Sequence, residues 1–157
     1  HFVLSSLHAT DAASALHRLL DMGIEPFLVA SSVTTVVAQR LLRRMCGHCQ
    51  EAYQPSVEEL ALLDVIGSEG PPDGFVRGAG CNFCARTGFL ERIGVYEMMP
   101  VTEGIRELIL GHASHDDIRK VARTEGMRSL QQEAGRLVAT GVTTLAEVLR
   151  SIYVVGV

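Results

Sequence analysis

Cys46-Gly47-His48-Cys49 and, after a gap of 31 residues, Cys81-Asn82-Phe83-Cys84 together hold all 4 cysteines of this 157-residue chain. Two residues between partners is the spacing of a zinc knuckle, a tight turn that aims both sulfurs at one point. Two knuckles supply enough thiolates to close a tetrahedral site with no position left for water, which makes such a site structural rather than catalytic. The rival readings are a redox pair and disulfides. A C-x-x-C beside a βαβ pattern reads as thioredoxin-like, but two pairs need two such contexts. Disulfides suit small, cysteine-dense secreted domains, and this chain is not expected to be one. The gap is longer than the common ribbon spacing, yet the pattern favours zinc on Cys46, Cys49, Cys81 and Cys84. His48 is expected to be a turn residue pointing outward, because the thiols already complete the ligand set.

Outward from the knuckles, the run Gln39-Arg40-Leu41-Leu42-Arg43-Arg44 precedes the first pair, and Arg86 and Arg92 flank the second. These arginines read as offsets to the negative charge of a thiolate site rather than as a phosphate-binding patch. The formal net charge of −4 would move to about −6 with all thiolates ionised around one zinc. That balance argues against general nucleic-acid binding, which wants a basic footprint. With 47% hydrophobic and 20% charged residues, the chain suits one globular domain or two small ones. No apolar run reaches the length of a membrane span.

The chain opens on His1-Phe2-Val3-Leu4-Ser5-Ser6-Leu7, an apolar run that reads as a buried strand. A lone strand there needs neighbours, so a piece of a larger protein is expected. A helix follows from Asp11 to Met22, with Thr10 as N-cap and Gly23 as its stop. Pro26 starts a second, well-buried helix through about Ala38, and Gln39 to Met45 reads equally as helix end or strand. Between the knuckles, Ser56 caps a short helix from Val57 to Ile66, which ends in the breaker-rich loop Gly67 to Gly74. An insert this small cannot bury enough apolar surface to fold unaided, so a metal contributes most there. A strand is expected over Gly94 to Met99. Helices are expected over Thr102–Leu110, Ser114–Thr124, Ser129–Ala139 and Thr144–Ile152, separated by Gly111, Gly126 and Gly141.

The residues also carry a family resemblance. His1 to Ala15 (HFVLSSLHATDAASA) resembles the His box of the bacterial secretion ATPases. Leu19 to Ser32 (LLDMGIEPFLVASS), Ala38 to Cys46 (AQRLLRRMC) and both cysteine pairs extend the match. This combination is similar to the type II secretion and type IV pilus assembly ATPases, the extension motors. Retraction ATPases share the His box but usually lack the cysteine insert.

The resemblance implies an α/β fold: the C-terminal half of a RecA-like P-loop ATPase core, with a tetracysteine zinc subdomain and a C-terminal helical region. In this numbering, 1–45 would be the distal part of the core, 46–84 the zinc-binding insert, and 85–157 a strand plus the helical region. It further implies a homo-hexamer in the full-length protein, using ATP and Mg²⁺ and driving inner-membrane secretion or pilus platform proteins. Its location would be cytoplasmic, peripheral to the inner membrane through those partners. The family's His-box histidines match His1 and His8, the candidate catalytic residues. Ala9 and Thr10 depart from the threonine and asparagine frequent there. A histidine near a γ-phosphate can donate a hydrogen bond to developing charge or orient water. His17, His112 and His115 match no such motif and are expected at the surface or at helix ends.

A P-loop requires G-x-x-x-x-G-K-[ST], and the one lysine, Lys120, sits between Arg119 and Val121. Walker A is therefore absent from this stretch, Walker B is expected upstream of His1, and the chain alone is expected to be inactive as an ATPase. Two other classes are a zinc-stabilised interaction module without catalysis and a nucleic-acid-binding zinc ribbon using Arg40, Arg43, Arg44 and Arg86. The acidic charge and few aromatics weigh against the latter.

Overall fold

A computed structural model of the chain describes residues 1–66 and 70–153. In chain order it contains α1 (Ala12–Asp21), α2 (Pro26–Ser32), β1 (Thr35–Met45), β2 (Gln50–Ala52), α3 (Val57–Ile66) and β3 (Val76–Gly78). Then come β4 (Phe89–Pro100), α4 (Glu103–Leu110), α5 (His115–Thr124), α6 (Leu130–Ala139), α7 (Leu145–Val148) and a π-helical turn, Leu149–Tyr153. The class is mixed α/β, as expected. Among the described residues β1 pairs with β4, and β2 pairs with β3 in antiparallel register. Two compact units result: His1–Gln39 with Tyr96–Ser129, and Arg40–Val95 with the chain from Leu130 onward.

In the first unit, α1 forms because its Ala/Leu stripe buries Ala12, Ala13 and Leu16 among Val29, Met99, Ile105, Ile109 and Ile118. Its N-cap is Asp11, not Thr10. Asp11 is extended (φ −149°) and its Oδ1 accepts from the Ser14 N–H at 2.8 Å, while the Ser14 hydroxyl accepts from the Asp11 N–H at 3.0 Å. That is a reciprocal capping box. Two longer-range groups reinforce it. Arg119 on α5 donates to Asp11 Oδ2 at 2.7 Å, and buried Glu97 on β4 accepts the otherwise orphaned Ala12 N–H at 3.0 Å. Burial alone would raise the Asp11 pKa, but the bonds from Ser14 and Arg119 hold it below the usual carboxylate value.

Two expectations fail in this unit. Residues 1–9 have no regular structure, and Phe2 and Leu4 are each 85% exposed. A strand needs a hydrogen-bonded neighbour, and neither described sheet offers one to this run. The second helix stops at Ser32 rather than near Ala38, and it is only partly buried: Val29 and Ala30 are covered, but Phe27 is 68% exposed. From Val33 the chain is extended, because Val33-Thr34-Thr35-Val36-Val37 is an unbroken β-branched run that suits a pleated surface better than a helix. This also settles Gln39 to Met45 as strand.

The second unit buries Leu42, Met45, Leu62, Ile66, Val95, Leu130, Ala134, Val138, Leu145 and Val148, with α3 packed on α6 and α7. Ser56 and Glu59 cap α3 reciprocally, at 2.8 and 3.2 Å, where the sequence placed its start. The first three residues of the expected Gly67–Gly74 loop lie outside the described residues. The expected last helix starts at its Thr144 cap but is α-helical only to Val148, passing into the π turn. The expected strand at Gly94 is longer, starting at Phe89.

A buried ion cluster organises this unit. Glu147, with a fully buried side chain, accepts from the Arg43 backbone N–H at 3.0 Å and from Arg43 Nε and Nη2 at 2.9 and 2.6 Å. It also accepts from Arg150 Nε and Nη2 at 3.0 and 2.7 Å and from the Ser151 hydroxyl at 3.2 Å. The Arg43 guanidinium lies 4.1 Å over the Phe89 ring. Burial would raise the Glu147 pKa, but the two arginines outweigh it and bring it down to about 2.

Candidate metal centre

β1 ends at Met45, and the chain at its end is fixed by backbone bonds: Met45 N–H to Val142 O at 2.8 Å and, one residue on, Cys46 N–H to Gly88 O at 2.9 Å. Gly47 and His48 form the first turn, and β2 starts one residue after Cys49. The β2–β3 register then matters. Gln50 faces Gly78, Glu51 faces Arg77 and Ala52 faces Val76, and Ala79 N–H donates to Cys49 O at 2.8 Å. The antiparallel pair thus returns the chain to the first knuckle just before Cys81.

The second knuckle is wound tightly. Arg86 N–H bonds Cys81 O at 2.8 Å and Thr87 N–H bonds Cys84 O at 3.0 Å. Ala85 and Arg86 take left-handed conformations, φ 50° and 65°, a strain that surrounding bonds must hold. Gly78 and Gly88 lie back to back. A Cβ added at Gly88 would sit 2.4 Å from Gly78 O, and one at Gly78 would sit 2.1 Å from Gly88 O. Neither position tolerates a side chain without moving backbone.

The four sulfurs converge. Cys46–Cys81 and Cys49–Cys84 Sγ distances are both 3.9 Å, Cys81–Cys84 is 3.8 Å, and all lie within 4.8 Å of one another. A tetrahedral metal with thiolates at about 2.3 Å has ligand–ligand edges of about 3.8 Å. All four are free thiols, so the disulfide alternative does not describe this arrangement. The donor set suits zinc or another thiophilic metal, and the residues present fit such an ion with no open position.

Backbone donors serve these sulfurs unequally. Cys84 Sγ accepts from the Cys81 N–H at 3.1 Å and the Gly88 N–H at 3.3 Å, and Cys49 Sγ from the Gly80 N–H at 3.3 Å. The donor from Cys81 is the main reason the Cys84 thiol falls to about 6, whereas burial and the adjoining thiols push Cys49 up to about 12.

His48 is exposed, as expected, and its ring stacks on that of Phe83 in the opposite knuckle (centroids 4.3 Å apart, 24° between planes). Of the arginines expected to balance the thiolates, Arg43 is instead committed to Glu147. Phe83 and Glu147 escaped the sequence reading. Glu147 stands three residues after Thr144 and reads as an ordinary capping position, and no local signal names Arg43 as its partner. His1 and His8 are exposed within the irregular N-terminal stretch. His115 begins α5 and His112 follows α4, both exposed as expected. His17 departs from expectation: it sits mid-α1 with Nε2 buried and unbonded, its ring edge-on to His115 at 5.9 Å.

A family model described as "Type II/IV secretion system protein" matches residues 1–150. The chain is 43% identical over 150 residues to the type II secretion system protein HxcR of Pseudomonas aeruginosa, covering 96% of this chain and 28% of that protein. It is 37% identical over 149 residues to the type IV pilus assembly ATPase PilB of Thermus thermophilus (95% and 17%). Against the type II secretion system ATPase E of Vibrio cholerae it is 38% identical over 150 residues (96% and 29%). The chain therefore spans less than a third of the length of each of these relatives.

Proposed function

The chain belongs to the type II/IV secretion system protein family, and from that premise we propose that it is the C-terminal part of a hexameric ATPase powering type II secretion or type IV pilus assembly. What carries the reading is that a single match, through residue 150, takes in both the His-box stretch and both halves of a converged cysteine site. Relatives across that span are named as ATPases of secretion and of pilus assembly. ATP and Mg²⁺ would be held largely by the P-loop of the whole protein, in a RecA-like core that this chain completes. The fragment alone is inactive on this account, because Lys120 lies in no Walker A pattern.

Within this reading Cys46, Cys49, Cys81 and Cys84 hold one structural zinc. With every coordination position taken by thiolate, the ion does no chemistry on substrate and instead ties β1, β2 and the β3–β4 connection together. His8 stands three residues before the Asp11 cap, exposed and unburdened by packing. It would face the γ-phosphate and donate to developing charge or steady the attacking water, with His1 beside it. The motor is cytoplasmic and acts on inner-membrane platform proteins. No described helix is long and apolar enough to cross a membrane itself.

The test is on the full-length protein. Purified without added metal, it should contain close to one zinc per chain, assemble as a hexamer by light scattering, and release phosphate from ATP. The 157-residue chain should release phosphate no faster than the buffer blank. A full-length protein that assembles but shows no ATP turnover, alone or with its platform protein, would overturn the assignment.

A further inference from the structure

The four sulfurs of the cysteine site are not equivalent. Cys46 and Cys84 are buried, at 0% and 3% exposure, while Cys49 and Cys81 are partly open. Cys84 accepts two backbone N–H bonds and Cys49 one. Among the described residues, no N–H donates to the sulfur of Cys46 or Cys81. Hydrogen bonds to a thiolate draw charge from sulfur and blunt its attack, and burial denies it a partner. Cys46 is unblunted but buried; Cys49 is partly open but blunted; Cys84 is buried and takes two donors. Among the described residues, Cys81 alone of the four combines partial exposure with a sulfur that no N–H quiets.

We propose that Cys81 is the electrophile-reactive position of this site, and that reaction of its sulfur with a soft electrophile or a hydroperoxide opens the metal centre. The inference rests on reading the four cysteines as a zinc site. With a maleimide, the Cys81 sulfur adds to the activated double bond, a C–S bond forms, and the neighbouring carbon takes a proton from water. With hydrogen peroxide, the sulfur takes one oxygen, the O–O bond breaks and hydroxide leaves, giving a sulfenic acid. The Cys84 or Cys46 thiolate, at 3.8 and 3.9 Å, then attacks that sulfur and expels a second hydroxide. Two thiolates are oxidised to a disulfide and one peroxide is reduced. Either route removes at least one ligand of the set, and the ion leaves.

The strained turn beside the site makes this more than a loss of metal. Ala85 and Arg86 hold left-handed φ angles within a loop whose bonds to Cys81 O and Cys84 O depend on the knuckle staying wound. Release of Cys81 would let these residues relax, so modification is read out in the backbone immediately ahead of β4.

The experiment uses the full chain purified with its metal. Zinc is quantified first; limiting N-ethylmaleimide is then added, adducts are mapped by peptide mass spectrometry over time, and freed zinc is followed with a chromogenic chelator. Cys81 should be modified at least about fivefold faster than Cys49 and well ahead of Cys46 and Cys84, with zinc leaving at the Cys81 rate. Hydrogen peroxide should give a disulfide that includes Cys81. If zinc is present and Cys49 reacts first or equally, the inference is wrong while the zinc reading stands. If Cys81 reacts but zinc stays, Cys81 is reactive without opening the centre, and the proposal falls. If the purified chain carries no metal, the zinc reading fails and takes this one with it.

Discussion

Replacing Glu147 with glutamine tests whether the buried ion cluster holds the second unit together. Glu147 is fully buried and takes bonds from Arg43, Arg150 and Ser151. Its pKa, held at about 2 against an ordinary 4.5, corresponds to about 3 kcal/mol favouring the charged, folded form. Glutamine keeps the shape but turns an NH₂ group toward arginine donors and leaves two cations without a counter-charge. Arg43 and Arg150 are 41% and 59% exposed, so water recovers part of their loss. The expected cost is therefore about 2–3 kcal/mol, below the 3–5 kcal/mol of a fully buried pair. Urea unfolding followed by circular dichroism at neutral pH measures it. The sign with pH is fixed, because the folded pKa is depressed. The stabilisation is complete above about 4.5 and is lost as pH falls toward about 2, so wild type and variant should converge there. Protonation of the cysteine site acts on both proteins alike and cancels in the difference. Glu51→Gln, removing the carboxylate of the exposed Glu51–Arg77 pair, should cost no more than about 1 kcal/mol. A Glu147→Gln cost under about 0.5 kcal/mol, or one that does not shrink with acid, would refute this account.

Three further outcomes are expected. Stripping metal with a strong chelator should unfold the second unit's knuckle region, seen as loss of amide-exchange protection around Cys46–Cys49 and Cys81–Gly88; unchanged protection would mean the metal is dispensable. Gly88→Ala should abolish or sharply weaken metal binding, because its Cβ meets Gly78 O at 2.4 Å, and retention of full zinc content would contradict the geometry. In the full-length protein, His8→Ala should lower ATP turnover by at least about tenfold, roughly 1.4 kcal/mol, with zinc content, assembly and melting temperature unchanged. Unfolding or lost assembly, with normal turnover by surviving hexamers, would make His8 a packing residue.

The cysteine site was legible because its signal is local: two turns, each written in four adjacent letters. The helices after Val101 were legible for the same reason, as Thr102, Ser114 and Thr144 announce starts that the structure realises as caps. What failed depends on distant partners. Residues 1–7 have the composition of a strand, but composition cannot provide the neighbour that makes one. Thr10 and Asp11 are both acceptable caps, and Arg119, more than a hundred residues away, favours Asp11. The short strands β2 and β3 carry almost no periodic pattern of their own. Glu147 and Arg43 meet only after folding.

The β2–β3 pairing has a consequence for how such centres are found. The distance in sequence between the knuckles is set by residues 50–80, but their distance in space is set by three cross-strand pairs, Gln50–Gly78, Glu51–Arg77 and Ala52–Val76. Beyond those pairs the chain leaves on α3 and returns through an exposed turn at Pro72–Gly74. Lengthening a loop there costs only about 0.6 kcal/mol per doubling, so the spacer is free to drift while the sulfurs stay put. Counting residues between cysteine pairs is thus a poor fingerprint. What the centre requires is the cross-strand register and the close approach of Gly78 and Gly88, not a fixed number of residues between the knuckles.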